Sequence, residues 1–428
     1  MIFKLYVIAT LLSPCSSLLV QGQPNFKIEI TSDHSNAVYN CGENAVLKIA
    51  VMQEDRLVNN GTLKIKLSND GGKELSAVNV DIARQNPYSI TVGLNHPGFI
   101  QCSAIYGGQE KLAAVAFSPQ KINTETPYPA DFLAFWNNGI KKLETIPLDL
   151  KMEPLSKFST TRYECFRISL ANIENTRIYG FLSVPKGSGP FPALITVEGA
   201  GPGYFEPETK WVEKGVLVLR MNVHRYEPPT DQKAIGNLCA KLEKETYYCY
   251  HGAPDREKYY FRQSILGINR AINYLASRRD IDKTHMVMQG SSQGGAFALI
   301  MAGLNSHITA AAANVPGLCD HYGLRAGRSP GWPRLLIKSA NNTVMAPYYD
   351  TVNFAKNISC PVIVGVGFVD TTCSPSSVYA AYNTLKTPKM IFNEPTMGHA
   401  QSIRYTEYTN KWLAGQLGLD KVLPPTVQ

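Results

Sequence analysis

Past its first two dozen residues the chain has no apolar run of the ~20 residues that a membrane-spanning helix needs. It also lacks a basic cluster. The net charge of +8 is scattered along 428 residues, so no nucleic-acid surface is indicated. No H-E-x-x-H and no paired His/Cys spacing occurs, which disfavours a zinc mechanism and implies neither metal nor cofactor. There is no internal repeat, which sets repeat architectures aside. Tryptophan is missing from the first 122 residues, so the Cys-Trp-Cys core of true immunoglobulin domains is excluded there. What remains is an ordinary globular composition, 44% hydrophobic and 18% charged. Its length suits two or three domains of roughly 150 residues.

The opening residues have the pattern of a secretory leader. Lys4 supplies the positive end, Leu5 to Leu12 is apolar, and Val20-Gln21-Gly22 places small residues before a cut after Gly22. Residues 1–22 are thus expected to be a signal peptide and the mature protein to be secreted or periplasmic. A lipoprotein anchored at Cys15 is disfavoured by Pro14 directly before it. Export permits disulfides. Cys41 with Cys102, and Cys239 with Cys249, are pairs that could close. Cys165, Cys319, Cys360 and Cys373 lie in or beside apolar segments and suit buried thiols.

Residues 23–122 are expected to form an all-β domain. Seven short strands fall at Phe26–Thr31, Ala45–Met52, Gly61–Lys66, Ala77–Ile82, Tyr88–Gly93, Gly98–Tyr106 and Lys111–Phe117, separated by turns such as Asn69-Asp70-Gly71-Gly72. This spacing predicts a small immunoglobulin-like sandwich. It holds no candidate catalytic residue; its expected roles are spacing, docking or weak carbohydrate contact, with a plain spacer preferred. Thr124 to Pro129 follows as a linker. From there to residue 428, apolar strands alternate with helices, the pattern of a mostly parallel sheet covered on both faces. Functional side chains then belong at the carboxyl ends of its strands.

One stretch organises this second region. Met286-Val287-Met288 runs into Gly290-Ser291-Ser292-Gln293-Gly294-Gly295, and an apolar helix follows. Strand, tight turn and helix are the setting of a G-x-S-x-G nucleophile elbow centred on Ser292. A serine hydroxyl needs a base, and the base needs an acid to orient it. In this fold they follow in the order Ser, acid, His. Of the histidines after Ser292, only His399 lies late, in a loop after a strand end. Four acids intervene: Asp320, Asp350, Asp370 and Glu394. Asp370 directly follows a buried strand, where such an acid belongs. Asp350 suits a helix cap, Asp320 a structural or substrate-side role, and Glu394 an alternative acid. The oxyanion donors are expected to be the backbone N–H groups of Gln293 and, from the loop Glu198-Gly199-Ala200-Gly201, of Ala200.

From about Pro129 to Leu417 the chain resembles the acetyl xylan esterase and cephalosporin-C deacetylase family, carbohydrate esterase family 7. The resemblance is carried by Pro129-Ala130-Asp131-Phe132 through Trp136, by the serine-glutamine elbow, and by Val315-Pro316-Gly317-Leu318-Cys319-Asp320. Its most specific part runs from Tyr349-Asp350-Thr351-Val352-Asn353-Phe354-Ala355 through Val369-Asp370 to Asn383. It implies an α/β-hydrolase that removes acetyl groups from sugars, with Ser292, Asp370 and His399 as nucleophile, acid and base. The partner is then an acetylated carbohydrate or small ester, and the oligomeric state stays open. Three positions depart from the family. Asn222-Val223-His224-Arg225-Tyr226 stands where Arg-Gly-Gln is expected. Glu198-Gly199-Ala200 replaces His-Gly-Tyr, and Ala400 replaces an acid after the histidine. The alternative readings are a serine exopeptidase of the prolyl oligopeptidase type and a non-catalytic glycan-binding protein.

Overall fold

The fold is that of a computed structural model, which describes residues 26–203, 206–228 and 232–419. The leader, the cut after Gly22 and Cys15 lie outside the described residues.

The N-terminal region is a sandwich of β1 (Phe26–Ser32), β2 (Val38–Tyr39), β3 (Ala45–Gln53), β4 (Arg56–Leu57), β5 (Thr62–Asn69), β6 (Glu74–Asp81), β7 (Tyr88–Val92), β8 (Gly98–Tyr106) and β9 (Gln109–Phe117). One sheet runs β1-β3-β4 with β7 also on β3, and the other runs β2-β9-β8-β5-β6. Both β3 and β5 bury alternate side chains, the period of strands with one wet face. Ile49, Ile65 and Phe117 are buried in its core, and Phe99 is buried against the second region.

The second region carries nine strands: β10 (Lys151–Pro154), β11 (Tyr163–Asn172), β12 (Thr176–Pro185), β13 (Phe191–Val197), β14 (Leu217–Met221), β15 (Ile281–Ser291), β16 (Ala310–Asn314), β17 (Val362–Gly367) and β18 (Lys389–Glu394). They lie side by side as β10-β11-β12-β14-β13-β15-β16-β17-β18. The first three pairings are antiparallel and the rest are parallel. Strand order reverses at β14 and β13, beside β15. Such a reversal opens a crevice at the strand ends.

Both faces of the sheet are covered. Its helices are α1 (Phe132–Glu144), α2 (Gln232–Leu242), α3 (Tyr260–Ser277), α4 (Gln293–Leu304), α5 (Leu335–Lys338), α6 (Thr351–Ala355), α7 (Pro375–Thr384) and α8 (Ile403–Gln416). Alternate strand residues serve the two faces. Leu194, Val218, Val287, Ala312 and Ile363 pack with Leu413 and Ala414 of α8. Ile195, Leu219, Met288, Ala313 and Val364 pack on the face of α3 and α4. The alanine run of β16 leaves room for α4, which is buried all round through Ala302.

Two expectations change. The segment after β9 is not a loose linker: Thr124 Oγ1 and the Glu125 N–H donate to Asp320 Oδ1 at 2.8 and 2.9 Å, and Thr126 Oγ1 donates to Asp350 Oδ2 at 2.7 Å. The two carboxylates, buried side by side, need those donors. The sandwich is therefore docked on the second region rather than tethered to it. The candidate disulfides also do not form, since all eight described cysteines are free thiols. Cys102 is fully buried within β8, whereas Cys41 sits in the turn after β2, its N–H bonded to Ser118 Oγ.

Candidate active site

Ser292 sits at the turn between β15 and α4 with φ 59° and ψ −121°, a conformation that non-glycine residues rarely adopt. Glycines make it reachable. A Cβ on Gly290 would lie 2.2 Å from the Gly294 carbonyl, and one on Gly294 would lie 2.2 Å from the Val197 oxygen. The strained peptide is fixed from both sides: the Ser292 N–H donates to Asn314 O at 2.9 Å, and the Gly317 N–H donates to Ser292 O at 3.0 Å. The hydroxyl thereby projects at the start of α4.

The structure brings all three side chains of the expected set together. Ser292 Oγ lies 2.8 Å from His399 Nε2, and His399 Nδ1 lies 2.8 Å from Asp370 Oδ2. A carboxylate only accepts, so the ring proton belongs on Nδ1, leaving Nε2 to accept from the serine hydroxyl. Asp370 is 1% exposed. Its other oxygen accepts from the N–H groups of Thr372 and Cys373 at 2.7 and 2.9 Å. Those donors stabilise its charge and fix its plane. Cys373 is the third member of the one cluster of potential metal-binding groups found among the described residues, with Asp370 and His399. Burial holds its thiol far above the usual range, and the other two are engaged with each other.

The remaining acids are placed elsewhere. Asp350 caps α6 by accepting from the Val352 N–H at 3.0 Å. Asp320 is fully buried against Thr124 and Arg328. Glu394 accepts from Ser402 Oγ at 2.6 Å, at the cap of α8. His307 lies beyond the end of α4, its N–H on Asn305 Oδ1.

The loop after β13 borders the elbow. The Gln293 side chain donates to Gly199 O at 3.0 Å and accepts from the Tyr248 hydroxyl at 2.6 Å. That hydroxyl accepts from the Gly201 N–H at 3.0 Å. Ala200 is thus bracketed by two held residues, and the Gln293 N–H, at the first turn of α4, has no partner within the helix. Tyr248 stands on His224, which is 1% exposed, with ring centroids 4.9 Å apart. Burial lowers the His224 imidazole to about 4, so it is neutral, and Nδ1 lies 2.7 Å from the Tyr260 hydroxyl. The departing Asn222–Tyr226 segment is therefore the footing of Tyr248.

Sequence reasoning missed Tyr248 and Asn314. Asn314 ties the elbow to the histidine loop, since its Nδ2 donates both to Ser291 Oγ at 2.9 Å and to the Ala400 carbonyl at 3.0 Å. The residue replacing the family's acid is thus held by its backbone. Tyr248 lies in an aromatic cluster, Tyr247-Tyr248-Cys249-Tyr250, with no periodicity to mark it. Asn314 merely ends an alanine strand.

An α/β sheet with its order reversed beside an elbow, and a hydrogen-bonded serine, histidine and aspartate at the strand ends, define an α/β-hydrolase. The acetyl xylan esterase family model matches residues 118–326 and 337–416. The acetyl esterase Axe7A of Xylanibacter ruminicola is 31% identical over 334 residues, covering 76% of each chain. Two solved structures share the fold. Acetyl xylan esterase 1 of a Thermoanaerobacterium species has a TM-score of 0.58 at 21% identity, covering 70% of this chain and 97% of that one. The acetyl xylan esterase of Paenibacillus sp. R4 has 0.60 at 24%, covering 69% and 98%. The chain belongs to the acetyl xylan esterase family, and it is a carboxylic ester hydrolase.

Proposed function

We propose that the protein removes acetyl groups from acetylated xylan, oligosaccharides or related glycans through an acetyl-enzyme on Ser292. His399 Nε2 takes the hydroxyl proton as Ser292 Oγ attacks the acetyl carbonyl. The oxyanion is received by the N–H groups of Gln293 and Ala200, each worth about 3 kcal/mol where such donors have been removed. On collapse the sugar oxygen leaves with the proton from His399. Water then attacks the acetyl-enzyme with the same imidazole as base, releasing acetate and restoring Ser292. Asp370 holds the imidazole in place through His399 Nδ1. The observation that carries this reading is the unbroken line of 2.8 Å contacts from Asp370 through His399 to Ser292. Family membership and the name of the Xylanibacter ruminicola relative, an acetyl esterase, support the choice of acyl group. The leader at residues 1–22 supports export. Acetate release over a panel of acetylated polysaccharides and oligosaccharides tests the substrate class. No release from any acetylated glycan, with p-nitrophenyl acetate still cleaved, overturns it.

A second, broader reading, a general short-chain esterase, turns on whether Ala200, where the resemblance puts a tyrosine, opens space beside the carbonyl. A closed acyl pocket loses roughly 1–3 kcal/mol per added methylene. A roomy one gains about 0.8 kcal/mol. The expected result is a steady fall in kcat/KM from acetate to propionate to butyrate p-nitrophenyl esters. A preference for butyrate would assign a general short-chain esterase instead.

A further inference from the structure

The loop that carries Asp370 is held from outside its own fold. It runs from the end of β17 to the start of α7, and the sandwich touches it at several points. Phe99 of β8 packs edge-on against Phe368, with ring centroids 5.1 Å apart, and lies 5.8 Å from Tyr379 of α7. Gln101 Nε2 donates to the Phe368 carbonyl at 3.3 Å. The Ala114 N–H of β9 donates to the Pro395 carbonyl at 3.0 Å, in the loop that leads to His399.

The most telling contact is at α7. Its own N-cap residue, Ser374, makes no capping hydrogen bond; its hydroxyl is turned to the Ser329 carbonyl, to which it donates at 2.5 Å. The Ser376 N–H is received instead by Asp70 Oδ2 at 3.1 Å. Asp70 lies 306 residues earlier, in the turn joining β5 and β6. A carboxylate there satisfies an orphan N–H and complements the positive end of the helix. The fit is close, since a Cβ on Gly71 would lie 2.6 Å from the Gly327 carbonyl. The other end of α7 is gripped as well: Asn383 Nδ2 donates to the carbonyls of Pro119 and Ile122 at 2.9 and 2.8 Å.

We infer that the sandwich is a positioning domain: Asp70 caps α7 in trans and, with Phe99 and Gln101, sets the loop that aims Asp370 at His399. This rests on the triad reading above and assigns no chemistry to the sandwich. Asp70 is a positioning residue acting through Asp370, so its loss should slow turnover without weakening substrate binding.

The test uses the full chain and p-nitrophenyl acetate. Asp70→Ala should lower kcat about three- to tenfold, less than the ~10²-fold that a full 1 Å misplacement can cost, with KM within about twofold. Asp70→Asn, which keeps an acceptor, should recover much of the loss. In an Asp370→Asn background, Asp70→Ala should cost nothing further, as expected of residues that act as one unit. Ile49→Val, in the sandwich core, lowers stability by a comparable amount and should leave kcat unchanged. The inference is overturned by an unchanged kcat in Asp70→Ala. It is equally overturned by the same loss in the Asp370→Asn background, or by an equal loss in Ile49→Val. If Ser292→Ala retains activity, the triad reading fails instead.

Discussion

Two loops flank Ser292, and only one of them is braced by the sandwich as well as by the hydrolase fold. The oxyanion loop, Glu198 to Gly201, is held from within the hydrolase fold. Gln293, next to the nucleophile, grips Gly199, and Tyr248 grips Gly201. The acid loop, Phe368 to Ser376, is held from two sides: the Trp332 N–H donates to the Thr372 carbonyl and the Ser374 hydroxyl to the Ser329 carbonyl within the hydrolase fold, and Phe99, Gln101 and Asp70 reach it from the sandwich. The family match begins at residue 118, after the last sandwich strand. The first brace therefore lies within the span that matches the family and the brace from the sandwich lies outside it. On the proposed mechanism, the loop that would stabilise charge is braced locally, whereas the loop that would orient the base takes part of its support from the sandwich.

Ser292→Ala should cost about 10⁶ in kcat on short esters, as nucleophile loss does in a comparable triad. Ser291→Ala should retain most activity, since its hydroxyl only receives Asn314. Equal losses in the two would mean that the turn, not the hydroxyl, carries the effect. Asp370→Asn should cost about 10⁴ at neutral pH, because an amide favours the wrong ring tautomer. A loss below tenfold would leave the acid loop without its role. On the other side, Tyr248→Phe should cost about tenfold, less than the 10²–10³ of losing an oxyanion donor outright. Combined with Asp70→Ala its effect should multiply, because separately braced loops are independent. A product well short of multiplication would show that the two braces are one.

The smallest effect sharpens the account of the oxyanion loop. Burial pushes the Glu198 carboxyl up to about 7, against the Val223 N–H at 2.6 Å and Arg220. Burial and the neighbouring Asp320 carboxyl push Asp350 up to about 7 as well. Both folded values lie above the unfolded ones of 4.5 and 3.8. Their contribution to stability is therefore full below the unfolded values and is lost as pH rises through 7. Glu198→Gln keeps an acceptor for Val223 and removes its share of that loss. Its melting temperature should exceed the parent's by about 1–3 °C at pH 8 and match it near pH 4. Parallel curves from thermal denaturation across this range would contradict the assignment.

Much of this was legible in the sequence, and the exceptions share a cause. The elbow declares itself because strand, glycines and helix are contiguous. Asp370 and His399 follow from chain order and strand ends, which the fold dictates. The sandwich strands could be read because alternation is local; only the two-residue strands β2 and β4 escaped, being too short to alternate. Tyr248, Asn314 and Asp70 could not be read, because each acts across a long separation and each has a sufficient local explanation. Asp70 sits in Asn-Asp-Gly-Gly, where turn chemistry alone accounts for an aspartate. Nothing nearby says that its carboxylate caps a helix in the other domain. The linker misled for the same reason, since Thr124 and Thr126 look like solvated loop residues until Asp320 and Asp350 are set beside them.

The central claim is that Ser292 carries the acetyl group between sugar and water. The most direct measurement is mass spectrometry of the protein acid-quenched during turnover of p-nitrophenyl acetate, followed by peptide mapping. The account expects an acetyl adduct on the peptide containing Ser292, formed within the first turnovers and absent from Ser292→Ala. Undiminished acetate release by Ser292→Ala, or an adduct confined to another residue, would contradict it.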